Sequence, residues 1–231
     1  MQNLTVRLEM VFDQVKKAAG SNCSIRIIDV GSDHGYLAVR CLDEGVAASA
    51  VCTEIHEAPA KRSAKALEEA GYTDVSDVIV TDGLKGVPLH EGDIIVIAGM
   101  GGLNIIDILI AAIKDNGSSV FEKVTFVLQP QKSVELVRQF LSGSGFLYED
   151  ESVCCDRDIF YNCMRVSYNG MKTSITNEEA CYGPVLIRKY NEGDNDVKDY
   201  FSHLNDIYKI RQRSNPIVKS ALEERQKNEG N

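Results

Sequence analysis

The stretch that most constrains the fold is residues 25–45, IRIIDVGSDHGYLAVRCLDEG. Ile25, Ile27, Ile28 and Val30 make a short apolar run, the pattern of a buried strand. Asp29 and Gly31 fall where that strand ends. From about Gly35 the period changes. Leu37, Val39 and Leu42 fall on or near one side at helical spacing, and Gly45 closes the segment as a helix C-cap does. Strand, glycine turn and helix in this order are the first crossover of a doubly wound sheet. There the helix N-terminus gathers free backbone N–H groups at the carboxyl end of the strand, where ligands bind.

The turn departs from the dinucleotide fingerprint G-x-G-x-x-G. Its glycines are Gly31 and Gly35, and Asp33 stands between them. A carboxylate there repels a pyrophosphate. It tolerates or attracts a cofactor that has no phosphate and carries a positive centre, as S-adenosylmethionine does with its sulfonium and ammonium groups. The plain alternative is an ordinary strand–turn–helix in which Asp33 is a cap.

The rest of the chain repeats the theme. Leu4, Leu8, Val11, Phe12 and Val15 predict an amphipathic helix over 3–19. Residues 48–54 read as a second strand ending in Glu54, about 20 residues past the glycine turn, where ribose-binding carboxylates sit; the alternative is an exposed strand-end glutamate. A helix over 60–70 follows, then a short strand at 78–80. Asp82, with Gly83, follows that strand, either as an acceptor for an adenine amino group or as a turn. Residues 93–98 form the most apolar strand, expected at the centre of the sheet. It runs into Gly99-Met100-Gly101-Gly102, which permits close approach of a ligand or simply a tight turn. A helix over 103–113, a strand at 124–129, a helix over 134–141 and a hairpin near 146–154 and 159–167 complete the sheet. The hairpin makes one strand antiparallel, the usual last step of class I methyltransferase sheets.

The predicted fold is therefore α/β: a Rossmann-like sheet of seven strands, the last antiparallel, in residues 1–170. A small helical C-terminal domain is expected in 171–231. Gly183-Pro184, Glu192-Gly193 and Asn215-Pro216 break its helices. Leu204, Ile207, Tyr208 and Ile210, followed by Ile217, Val218 and Leu222, predict an antiparallel helical pair. Its apolar stripe is thin, so it needs a partner helix or the sheet domain.

Composition sets outer bounds. At 231 residues and 44% hydrophobic, the chain can fill one α/β core with a smaller appendage. No apolar run approaches the roughly 20 residues that cross a bilayer, and the N-terminus lacks a secretory pattern, so a cytoplasmic protein without a membrane partner is expected. Cys23, Cys41, Cys52, Cys154, Cys155, Cys163 and Cys181 form no C-x-x-C and are odd in number, as expected of reduced thiols. Cys154–Cys155 reads as chance neighbours on a strand or as a redox pair. The four histidines show no ligand spacing with the cysteines, so no metal is expected. The net charge of −9 lies wholly in residues 1–170, and 171–231 are neutral. There Arg188, Lys189, Lys209, Arg211 and Arg213 cluster, as a phosphate-binding face or as a solvated one.

Four segments recur together in a known family: Asp29-Val-Gly-Ser-Asp-His-Gly-Tyr-Leu37, Ala98-Gly-Met-Gly-Gly102, Leu128-Gln-Pro130 and Tyr182-Gly-Pro184. The chain resembles the bacterial tRNA adenine-N1 methyltransferases that modify adenosine 22, over nearly its whole length. It departs at Ala38, where the family commonly has proline, and at Gln131, where asparagine is usual. The resemblance implies S-adenosylmethionine as cofactor, held by Asp29, Gly31, Asp33, Gly35, Glu54, Asp82, Gly83, Gly99, Met100 and Gly101. It implies tRNA as substrate, with the target base beside Asp33, His34 and Tyr36 and the tail, coiled-coil-like in character, helping to hold the RNA. A monomer is expected. Enzymes that methylate exocyclic amino groups carry an acidic or amide residue, two prolines and an aromatic after the fourth strand. Ala-Gly-Met-Gly-Gly there fits a ring nitrogen instead.

Three rivals share parts of this pattern. A nicotinamide oxidoreductase shares the sheet and the strand-two acid but lacks the fingerprint. A non-catalytic RNA-binding or regulatory module would keep only a vestigial pocket. A small-molecule methyltransferase would share the cofactor chemistry and is set aside by the resemblance alone.

Overall fold

The structure is a computed structural model that describes residues 4–22 and 24–229. Asn3, where the first helix was expected to begin, and Cys23 lie outside them. Seven strands are formed: β1 (Arg26–Val30), β2 (Ser49–Glu54), β3 (Ser76–Val80), β4 (Ile94–Gly101), β5 (Thr125–Lys132), β6 (Phe146–Asp156) and β7 (Ile159–Tyr168). They make one sheet in the order β3-β2-β1-β4-β5-β7-β6. The first five run parallel, and β7 pairs antiparallel with both β5 and β6. β1 and β4 lie inside the sheet, and Ile27, Ile28, Ile95, Val96 and Ile97 are fully buried there. Such strands need apolar residues at every position because both faces are covered. β6 and β7 meet at Arg157 and Asp158, both at positive φ (51° and 63°), the geometry of a two-residue type I′ hairpin turn.

Helices α1 (Val6–Ala19), α2 (Tyr36–Asp43) and α3 (Glu57–Glu69) cover one face of the sheet. Helices α4 (Gly102–Asn116), α5 (Ser118–Phe121) and α6 (Val134–Ser144) cover the other. β4 runs further than its apolar pattern indicated. After a register break at Ala98, Met100 pairs with Pro130 and Gly101 with Lys132, so the glycine-rich segment is a bulged strand end rather than a free loop.

The tail forms α7 (Asn177–Tyr182), α8 (Pro184–Glu192), α9 (Asn195–Arg211) and α10 (Pro216–Glu229). Thr176 and Glu179 start α7 as a reciprocal capping box. The expected α9–α10 pair is one side of a larger cluster, in which α10 packs on α7 as well as α9. The thin stripe thus finds its partner. At the centre, Arg225 is 6% exposed. Its guanidinium lies 4.7–5.0 Å from the rings of Tyr182, Tyr190 and Phe201 and pairs with Glu178 at 3.2 Å.

A fully buried ion pair fastens these helices to the sheet. Arg138 on α6 donates to Glu151 on β6 at 2.9 Å, and both are 0% exposed. Arg138 also donates to the carbonyls of Ala180 and Cys181 at the end of α7. The other Glu151 oxygen accepts the N–H groups of Val185 and Leu186, capping the start of α8. Gly183 passes so close that a Cβ there would sit 2.6 Å from Glu151 Oε2. Nearby, Asp150 accepts from Lys189 of α8 and from Gln14 and Lys17 of α1. Burial alone would raise its pKa; these donors outweigh it and hold the carboxyl well below its usual range.

Truncating one partner of such a pair strands a buried charge. Glu151→Ala is expected to lower stability by about 3–5 kcal/mol in urea unfolding. Arg138→Met combined with Glu151→Leu should lose less than the sum of the two single changes.

Candidate active site

The carboxyl ends of β1, β2, β3 and β4 converge on the turn after β1. Gly31, Asp33 and Gly35 all have positive φ (72°, 55° and 68°), so the chain reverses within five residues. The Gly31 N–H donates to the Thr53 carbonyl at 2.8 Å. The Asp33 N–H donates to Glu54, and Ser32 Oγ bridges Glu54 (3.4 Å) and Ser63 of α3 (2.9 Å). The buried carboxylate at the end of β2 therefore holds the turn in shape from below.

Two cavities open beside this turn and meet at Gly31. The first, about 410 Å³, is lined by Gly31, Thr53, Glu54, Ile55, Asp82, Gly83, Met100 and Ile108 among others. A Cβ on Gly31 would lie 2.2 Å from the Met100 methyl, and one on Gly83 would lie 2.9 Å from Ile108. Both glycines thus keep the cavity open where any side chain would fill it. Thr53 Oγ1 is buried here with no hydrogen-bond partner. Two carboxylates, an unpartnered hydroxyl and apolar walls suit a nucleoside better than a pyrophosphate.

The second cavity, about 320 Å³, is lined by Arg7, Asp29, Gly31, Asp33, His34, Tyr36, Gly99 and Gln131 among others. Asp29 is 5% exposed. Burial first, then the charge of Glu54, pushes its carboxyl up to about 7. A cationic group in this cavity would relieve that cost. His34 and Tyr36 stack at 5.0 Å with their rings 11° apart. They also line a groove between α2 and α3 that carries Arg40, Arg62 and Lys65. Asp33 is exposed and turns toward this groove, pairing with Arg62 and lying 3.6 Å from His34 Nε2.

The structure brings Asp29, Gly31, Asp33, His34, Tyr36, Glu54, Asp82, Gly83, Gly99 and Met100 around the two cavities. Gly35 and Gly101 do not line either. Gly35 lets α2 start beside α3, since a Cβ there would be 3.2 Å from the Ser63 backbone. Of the tail cations, Arg188 and Arg213 are exposed. Lys189 is committed to Asp150, Lys209 to Asp206 on its own helix, and Arg211 to Glu135 of α6.

Two residues at the site were given no role by the sequence. Arg7, on the first turn of α1, reaches the cavity from far away in sequence and donates to Gln129 at 2.9 Å. Gln129 is fully buried, and the same oxygen accepts the Gly99 N–H at 3.1 Å. A lone glutamine ending an apolar strand was the available hint. Among the described residues no group of three or more His, Cys, Asp and Glu is placed to hold a metal ion, and no helix is long and apolar enough to cross a membrane.

Comparison with known proteins agrees with this geometry. The family model for tRNA (adenine(22)-N(1))-methyltransferase matches residues 27–229. The tRNA (adenine(22)-N(1))-methyltransferase of Bacillus subtilis is 31% identical over 195 residues, 81% of this chain and 76% of that one. The Streptococcus pneumoniae protein Sp1610, solved in complex with S-adenosyl-L-methionine, superposes with a TM-score of 0.76 at 25% identity, covering 96% of this chain and 99% of that one. The solved B. subtilis m1A22 tRNA methyltransferase shares the fold, with a TM-score of 0.74 at 23% identity over 97% and 94% of the two chains. With a match across nearly all its length and a methyltransferase sheet built around the glycine turn, the chain belongs to the tRNA (adenine(22)-N(1))-methyltransferase family.

Proposed function

We propose that this chain methylates N1 of adenosine 22 in tRNA. The observation that carries the reading is the pair of cavities meeting at Gly31, one suited to a nucleoside and one to a charged tail beside an open aromatic edge. S-adenosylmethionine, when bound, supplies a methyl group activated on a sulfonium. Glu54 would accept from the ribose hydroxyls and Asp82 from the adenine amino group. Asp29 would hold the ammonium and Arg7 the carboxylate of the methionine end. Gly99 and Met100 would border the junction of the two cavities.

The target base would approach past His34 and Tyr36, with Tyr36 stacking on it. Adenine N1 carries a lone pair and no proton, so the chain need remove none before attack. Its work is to align and desolvate, which is worth roughly 7–11 kcal/mol of barrier when the reactants are well placed. Asp33, next to His34, can offset the positive charge that develops on the methylated ring. Residues 1–170 would act as the catalytic domain and 171–231 as the RNA-holding one, with the exposed Arg188 and Arg213 placed to meet phosphates, Lys209 held by Asp206 on the surface of its helix, and Lys189 and Arg211 bracing the tail. Family membership and the absence of a membrane-crossing helix among the described residues support a cytoplasmic tRNA-modifying enzyme.

Incubation with unmodified tRNA and methyl-labelled cofactor should place the label in N1-methyladenosine at position 22, read by digestion and mass spectrometry; label in any other nucleoside refutes the assignment. Tyr36→Ala should lose most methyl transfer while cofactor affinity and melting temperature stay near wild type. Full activity would remove the stacking role.

The raised pKa of Asp29 gives a pH signature. Holding an ammonium requires the ionised carboxylate, and in the free protein this carboxyl is half protonated near pH 7. Cofactor binding should therefore release a proton below that pH, and affinity should fall toward tenfold per unit as pH drops further. Calorimetry in buffers of different ionisation enthalpy measures both. Asp29→Asn should bind weakly at pH 8 and lose the dependence.

A further inference from the structure

A third cavity, about 190 Å³, lies where the C-terminal helices meet the sheet. The end of β5, the start of α6, the first residues of β7 and α9 form its walls, with the Arg211–Glu135 pair among them. It adjoins the candidate active site: Gln131 lines both this cleft and the second cavity, and Arg7 of that cavity lies 5.9 Å from the ring of Tyr161 in the cleft. Phe160 and His203 lie side by side in its wall, in contact, with ring centroids 4.9 Å apart. Lys132 stands at its edge, exposed and paired with no carboxylate among the described residues.

One observation points to a ligand. Asn162 lines the cleft, is 3% exposed, and its Nδ2 is buried without a hydrogen-bond partner. An amide left so is costly unless something else satisfies it. Aromatic rings, an unpaired cation and an unsatisfied amide are the chemistry that binds an unstacked nucleotide: ring on base, ammonium on phosphate, amide on base edge. The space suits one base and excludes a duplex.

We infer that this cleft is a second nucleotide subsite, which takes one unstacked nucleotide of the RNA next to the base being methylated. The inference rests on the proposed function, since the continuity at Gln131 makes a neighbouring nucleotide the occupant. On this view the cleft reads the local RNA shape that selects the substrate. Asn162 and Gln131 supply polar contacts to the flanking base, and Phe160 and His203 its stacking surface.

The test uses the full chain and unmodified tRNA carrying 4-thiouridine on either side of the target adenosine. Ultraviolet crosslinking followed by mass spectrometry should join that nucleotide to peptides from 156–165 or 200–207. Phe160→Ala with His203→Ala, and separately Asn162→Leu, should raise the tRNA Kd about tenfold or more. Cofactor affinity by calorimetry and the melting temperature should stay near wild type. Crosslinks confined to other segments, together with unchanged tRNA affinity in both variants, would overturn the subsite while wild-type methylation of tRNA leaves the function standing. A concentration-dependent dimer, broken by Ile207→Glu with tRNA affinity unaltered, would assign the cleft to a second copy of the chain and overturn it as well. Failure of the wild type to methylate tRNA would remove the function and the subsite together.

Discussion

The geometry of the molecule depends on the Arg138–Glu151 pair, because it is the point where sheet and tail share buried polar groups. Each partner performs more than one task. Arg138 closes the carbonyl end of α7, and Glu151 closes the N–H end of α8, so the break between the two helices at Gly183-Pro184 is organised by residues outside them. A buried pair of this kind contributes little net stability compared with well-packed apolar side chains. It ties the seating of the tail to the ends of two helices, since the same two side chains satisfy the last carbonyls of α7 and the first N–H groups of α8. That seating puts α9 against the β6–β7 hairpin and so defines the cleft beside the active site.

The active site rests on a second constraint of the same type. Glu54 is buried at the end of β2, yet it accepts from the turn that follows β1. Two crossovers of the sheet are thereby locked in register at their carboxyl ends. The cost appears in Asp29, whose neighbour's charge adds to its own burial. A positive charge placed beside Asp29 would relieve that cost, which is the basis of the ammonium role proposed for it.

Much of this was legible in the sequence, and for physical reasons. The inner strands of the parallel sheet announced themselves by apolar runs, since strands covered on both faces admit little else, while β3 at the edge, half exposed, showed only a short one. The strand-end acids and glycines stood out because those positions otherwise have no need of carboxylates or of positive φ. What stayed hidden depends on tertiary proximity. Arg7 looked like one more cation on an amphipathic helix, and Arg225 like one on a solvated helix. Nothing near either in sequence reveals Gln129 or the ring of aromatics around the second. Lys189 and Arg211 read as a free basic cluster because their partners, Asp150 and Glu135, lie some forty and seventy-six residues away. The extension of β4 through Gly101 was masked by glycine, which weakens any strand pattern.

The placement of α1 has a consequence for how the site is completed. This helix precedes every strand in the sequence, yet several of its polar side chains are satisfied by groups on later strands: Gln14 by Asp150 and Arg165, Lys17 by Asp150, and Arg7 by Gln129. Its apolar stripe packs on α2 and β4 as well as on the hairpin, but these polar contacts form only when the later strands are in place. The corner of the second cavity that Arg7 supplies is therefore fixed only when β5 is in place, so the shape of that cavity depends on residues more than a hundred positions apart.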